Sequence, residues 1–153
     1  MAVNYNAKTV SDAEVKLVLE SIAEYFGKDV NVTSGDRGTA LNMGAGAKSL
    51  HLQNRAADFH VDGIDDGTAY LHIKVYASQF FKKGERYEFI WHGPHTETSG
   101  QHLHIGRSST NADGYVKFVK EGITVEGKAD YRRDVLMPIV WSARAEDAPA
   151  VAE

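Results

Sequence analysis

The stretch Ser49-Leu-His-Leu-Gln-Asn-Arg-Ala-Ala-Asp-Phe-His-Val61 decides how the rest of the chain is read. Its second half, Ala56–Val61, is strand-like. It predicts a strand with Asp58 and His60 on one face and Phe59 and Val61 on the other. His51 lies in the loop that leads into it. A loop imidazole and a strand carboxylate at this spacing can close on one metal ion. Both are good zinc ligands, and a catalytic zinc takes three protein ligands and keeps one position open. The same two residues also suit a surface histidine and a turn or helix-cap acid, so the neighbouring segments must decide.

Downstream, Arg86-Tyr-Glu-Phe-Ile-Trp-His92 and Gln101-His-Leu-His-Ile105 predict two more strands, joined by a loop from Gly93 to Gly100. These segments hold His92, His95, His102 and His104, four of the seven histidines in the chain. In a strand, His102 and His104 point to the same face. Two imidazoles on one face, added to His51 and Asp58, favour a metal site over core packing.

Upstream, Ser11-Asp-Ala-Glu14 has the form of a capping box, with the serine as cap and the glutamate reaching back. The helix it opens runs to Phe26, with Val15, Val18, Leu19, Ile22 and Phe26 on its buried face and Gly27 as its stop. Val30–Thr33 alternates as a short strand and ends in the turn Ser34-Gly-Asp-Arg-Gly38. Arg37 in that turn is either a solvated arginine or a forked donor projecting into a cleft, where it could grip a carboxylate or an oxyanion. Residues 39–48 form a glycine- and alanine-rich loop without the ending of a phosphate-binding loop. Asp62–Gly67 is a turn that lacks the spacing of a calcium loop.

Thr68–Phe81 fits two periods. Leu71, Ile73 and Val75 alternate as in a strand; Tyr70, Ile73, Ala77, Phe80 and Phe81 form a helical stripe, and the helix is the expectation. Lys82-Lys-Gly84 suits its end. Tyr115–Val119 and Ile123–Val125 predict a hairpin turning at Glu121-Gly122. Val135–Trp141 predicts a last edge strand, because Pro138 argues against a central one. The expected organisation is one domain over residues 1–141 and a frayed, alanine-rich acidic tail over 142–153.

Composition narrows the function classes. The 153 residues suit a single domain with a real core. A net charge of -4 gives no electrostatic case for nucleic acid or an anionic membrane. The absence of cysteine excludes disulfides, thiolate metal sites and cysteine nucleophiles. No run approaches membrane-spanning length. The first residues lack a basic region followed by an apolar run, so synthesis in the cytoplasm is expected.

The order Ser-x-His-x6-Asp, then His-x-His on a strand, resembles the zinc D-Ala-D-Ala carboxypeptidases and L-Ala-D-Glu endopeptidases of the M15 peptidase group, whose fold is shared with the Hedgehog signalling domain. Ser34-Gly-Asp-Arg37 looks like that group's Ser-Gly-x-Arg turn, and the resemblance spans Val30 to Gly106. It implies an α+β fold with a small antiparallel-rich sheet and helices packed on one side. It implies Zn2+ held by His51, Asp58 and His104, and a peptide of bacterial peptidoglycan as substrate. Arg37 matches the arginine that steadies substrate or oxyanion, and His102 the histidine that stabilises the transition state. Two positions depart from the pattern. Asn54 lies near a usual glycine, which requires a left-handed turn residue there. Gln101 stands where many members carry an acidic general base, and an amide cannot take a proton. Glu97 in the Gly93–Gly100 loop is the substitute of first choice and His92 the second. Without a leader or wall-binding module, such a hydrolase suits a phage lysis or tail enzyme resembling an endolysin, or a cytoplasmic dipeptidase. The alternative is a zinc-containing binding module of the same fold that has lost hydrolysis.

Overall fold

A computed structural model of the chain describes residues 1–37, 53–96, 100–110, 113–123 and 126–144. Among them, the elements in chain order are β1 (Val3–Asn4), α1 (Ala13–Phe26), β2 (Val30–Ser34), β3 (Ala56–Val61), α2 (Asp66–Val75), β4 (Glu85–His92), β5 (His102–Thr110), β6 (Tyr115–Ile123) and β7 (Ala129–Pro138). The fold is α+β. The strands form one mixed sheet in the order β1-β2-β3-β5-β4-β6-β7. β1–β2 and β4–β6 pair parallel and the remaining neighbours antiparallel. β5 is therefore the central strand, flanked by β3 and β4.

Strand alternation gives the sheet two unlike faces. Val30, Val32, Ala57, Phe59, Tyr87, Phe89, Leu103, Ile105, Val116 and Phe118 point to one side and are buried. α1 adds Val15, Val18, Leu19 and Ile22, and α2 adds Ala69, Tyr70 and Ile73, to the same apolar cluster. Both helices thus cover one face. Each large apolar side chain buried there is worth roughly 1.5–3 kcal/mol. Phe89 and Phe118 meet edge-on with ring centroids 5.9 Å apart, and Phe81 packs edge-on against both at 6.0 Å.

α1 begins one residue later than the capping box predicts. Asp12, not Ser11, is the cap: its carboxylate accepts from Val15 N at 3.0 Å. Ser11 instead bonds to Asp36 through its hydroxyl. Asp12 wins because it also receives the Arg107 guanidinium, with Nε at 2.9 Å, so one carboxylate caps the helix and ties it to β5. Gly27 closes α1 at φ 62°, with its N–H bonded to carbonyls of the last turn.

The stripe expected over 68–81 is buried as predicted: Tyr70, Ile73, Ala77, Phe80 and Phe81 are all within the core, while Leu71 and Val75 are exposed. The helix itself is interrupted. α2 ends at Val75, and a single 3-10 turn over Ala77–Gln79 carries the stripe on. The expected hairpin at Glu121-Gly122 is a misreading. β6 runs unbroken through both residues, and Gly122 faces Asp130 in the β6–β7 ladder. β7 is the edge strand, and Pro138 is its last residue, paired with Tyr115. Beyond it, Ala143 N donates to Ser78 O at 2.6 Å, and buried Arg144 meets Glu14 at 2.8 Å. The packed chain therefore extends to Arg144; residues 145–153 lie outside the described residues.

Candidate active site

The face of the sheet opposite the helices carries the polar cluster. Its centre is His104 on β5, 7% exposed. Asp58 on β3 is its direct cross-strand partner, and His104 Nδ1 lies 2.9 Å from Asp58 Oδ1. From the other flank, Glu88 on β4 reaches the far side of the ring, with Oε1 2.9 Å from His104 Nε2. Glu88 is opposite Gly106 rather than opposite His104. From that position the carboxylate leans along β5 to reach the ring. Burial alone would keep the His104 ring neutral, but the hydrogen bonds and charges of Asp58 and Glu88 outweigh it and push its pKa up to about 9.

His102, two residues earlier on the same face, turns its Nδ1 to Gly100 O at 2.6 Å. That contact aims Nε2 at Asp58 Oδ2, 3.6 Å away. His92 on β4 faces His102 in register, and the two rings stack at 4.3 Å. Burial, with the neighbouring charges of His102 and His104, pushes His92 down to about 4. It is therefore neutral at pH 7, and its Nδ1 is buried with no hydrogen-bond partner among the described residues. Tyr131 on β7 closes this side, 5.0 Å from the His92 ring. Its hydroxyl donates to Glu121, which also accepts from His95 N at 3.1 Å and so anchors the start of the loop after β4.

Of the residues singled out from sequence, Asp58, His102, His104 and His92 come together here. Arg37 is exposed just past the end of β2, with Nη2 3.4 Å from Ser34 Oγ; Ser34 is the β2 residue opposite Asp58. His51 and Glu97 lie outside the described residues. His60 shares the face of Asp58 but is bonded to Asp66 at 3.0 Å and takes no part in the cluster. Asn54 has φ 58°, the left-handed turn that the missing glycine requires. Glu88 was not anticipated. It alternates with Tyr87 and Phe89 as an outward-facing strand residue does, and only the strand order brings it to His104.

Among the described residues, no group of three or more histidine, aspartate or glutamate side chains is arranged to hold a metal ion. The donors fit a zinc site in chemistry, since a buried imidazole and a buried carboxylate meet on one face of the sheet. The Asp58–His104 gap of 2.9 Å falls a few tenths of an ångström short of the ~3.3 Å between two ligand atoms on one tetrahedral zinc.

A family model described as Peptidase M15 matches residues 2–90. The chain belongs to the Peptidase M15 family. No curated protein and no solved structure matches it. The Peptidase M15 match takes in Arg37, His51, Asp58 and Glu88; His92, His102 and His104 follow it in the chain. As a Peptidase M15 member the chain is a hydrolase with a peptide substrate. No described helix is long and apolar enough to cross a membrane.

Proposed function

We propose that the chain is a zinc-dependent peptidase that cleaves a stem peptide of bacterial cell-wall peptidoglycan, on a Hedgehog/DD-peptidase-like fold. The observation that carries this reading is the buried Asp58–His104 pair with His102 aimed at it, in a chain of a peptidase family. His51, Asp58 and His104 would hold the zinc. When bound, zinc polarises the scissile carbonyl and acidifies the attacking water.

The remaining chemistry belongs to the chain. His102, held by Gly100 O, presents Nε2 over Asp58, where a protonated ring can donate to an oxyanion. Arg37, beside Ser34, would steady the substrate carboxylate or share that oxyanion. The proton of the water needs a carboxylate or imidazole acceptor whose pKa lies near the working pH. Gln101 cannot serve, and His92 at about 4 is a weak acceptor. Glu97, two residues beyond His95 in the sequence, takes the role of base in this reading. Residues 1–141, with the packed stretch that follows them to Arg144, would form the peptidase domain, and a phage lysis or tail enzyme suits the substrate.

A second reading has one observation behind it. Gln101 replaces the usual acid next to His102, which favours a zinc-containing binding module without hydrolysis. Incubation with purified peptidoglycan, with and without chelator, followed by mass analysis of the fragments, separates the two. Chelator-sensitive release of stem-peptide fragments supports the peptidase. Stoichiometric zinc with no cleavage supports the module.

A further inference from the structure

We infer that Glu88 is a positioning residue for the metal ligand His104: it holds the imidazole by Nε2, so that Nδ1 is presented toward Asp58. The inference rests on the zinc reading above and concerns a residue that reading leaves unused.

The geometry distinguishes the two ends of the ring. On the Nδ1 side three polar groups converge: His104 Nδ1, Asp58 Oδ1 at 2.9 Å, and His102 Nε2 3.6 Å from Asp58 Oδ2. This is the metal side. On the Nε2 side stands Glu88, 2.9 Å away and a quarter exposed. An imidazole has one lone pair to give when neutral, so a ligand that binds through Nδ1 must carry its proton on Nε2. A carboxylate accepting that proton fixes the tautomer, fixes the rotation of the ring and makes Nδ1 a better donor. The backbone supports the same assignment. β5 is clamped between β3 and β4, so Asp58 and Glu88 reach His104 from opposite flanks. Glu88 does so diagonally, from the register position opposite Gly106, two residues along β5.

The test uses the full chain and zinc alone as probe. Zinc affinity is measured by competition with a chelating dye for wild type, Glu88→Gln and Glu88→Ala. The glutamine keeps an accepting oxygen, so its loss is a few-fold; the alanine loses the acceptor and binds zinc roughly 10–100-fold more weakly, as is usual for such partners. In 15N NMR of the zinc-loaded protein, the His104 Nε2 proton is protected from exchange in wild type and Glu88→Gln and exchanges freely in Glu88→Ala. Should the alanine variant fail to fold, the glutamine variant decides: an exposed, fast-exchanging Nε2 proton at wild-type zinc affinity overturns the inference. Equal zinc affinity in all three proteins also overturns it while leaving the zinc reading intact. A wild-type chain that binds no zinc removes the zinc reading itself, and this inference with it.

Discussion

Replacing Asp58 by asparagine separates what this carboxylate does for the fold from what it does for zinc. The substitution keeps shape and keeps an oxygen that can accept from His104 Nδ1 across the 2.9 Å contact. What it removes is charge. A hydrogen bond to a charged group contributes about 1.5–3 kcal/mol and a neutral one about 0.5–1.5, so the metal-free fold should lose about 1–2 kcal/mol. For a domain of this size that corresponds to a fall in Tm of roughly 2–8 °C. Zinc acts separately. At a hundredfold excess over Kd, a ligand that binds only the folded state adds about 2.7 kcal/mol, or roughly 5–11 °C. Asparagine is a poor zinc ligand, so that increment should nearly vanish in Asp58→Asn. The assay is a pair of thermal melts, with EDTA and with zinc, for each protein. A variant that keeps the full zinc-induced shift would show that Asp58 is no ligand. A variant with no loss in EDTA would show that the Asp58–His104 contact does not matter to the fold.

Three further outcomes are expected. Arg37 is exposed and bonded only weakly to Ser34, so Arg37→Ala should melt like wild type while losing at least tenfold in kcat/KM; a fully active variant would remove it from the mechanism. Glu97→Gln should keep one zinc, measured by atomic emission, and lower kcat by roughly a hundredfold or more, as loss of a general base does; an unchanged rate passes the role to another group. Asp134 links β7 to α2: burial would raise its pKa, but bonds from Lys74 and Tyr70 and the charges of Lys74 and Lys120 hold it below the ordinary 3.8. Its contribution is then fully present above the unfolded value and lost as pH falls through the lower folded one. The stability gap between wild type and Asp134→Asn in urea melts should stay constant from neutral pH down to about 5 and close in stronger acid; a constant gap at all pH values would refute the assignment.

The local features were legible because their signals are local. α1, β3 and the His102-x-His104 strand each follow from local periodicity, while the Asn54 turn followed only from the family resemblance, whose usual glycine it replaces. What was missed depended on distant partners. Ser11 and Asp12 are both good caps by type, and Arg107 chose between them from the other end of the domain. Gly122 looked like a turn, yet β6 continues through it because β7 supplies a ladder there, with Glu121 opposite Tyr131 and Gly122 opposite Asp130. Glu88 needed the strand order β3-β5-β4, in which chain order and spatial order differ. His102 and His104 could be placed on one face from alternation alone; the carboxylate on the far side of His104 could not.

β5 alternates His102, Leu103, His104, Ile105, and this ties two kinds of fidelity together. A slip of one residue in its pairing would send both imidazoles among the phenylalanines and turn Leu103 and Ile105 into the polar cluster. Mispaired molecules would therefore be rejected during folding by the oil side of the sheet, before the polar side was ever tested. The apolar layer proofreads the alignment of the chemistry on its reverse.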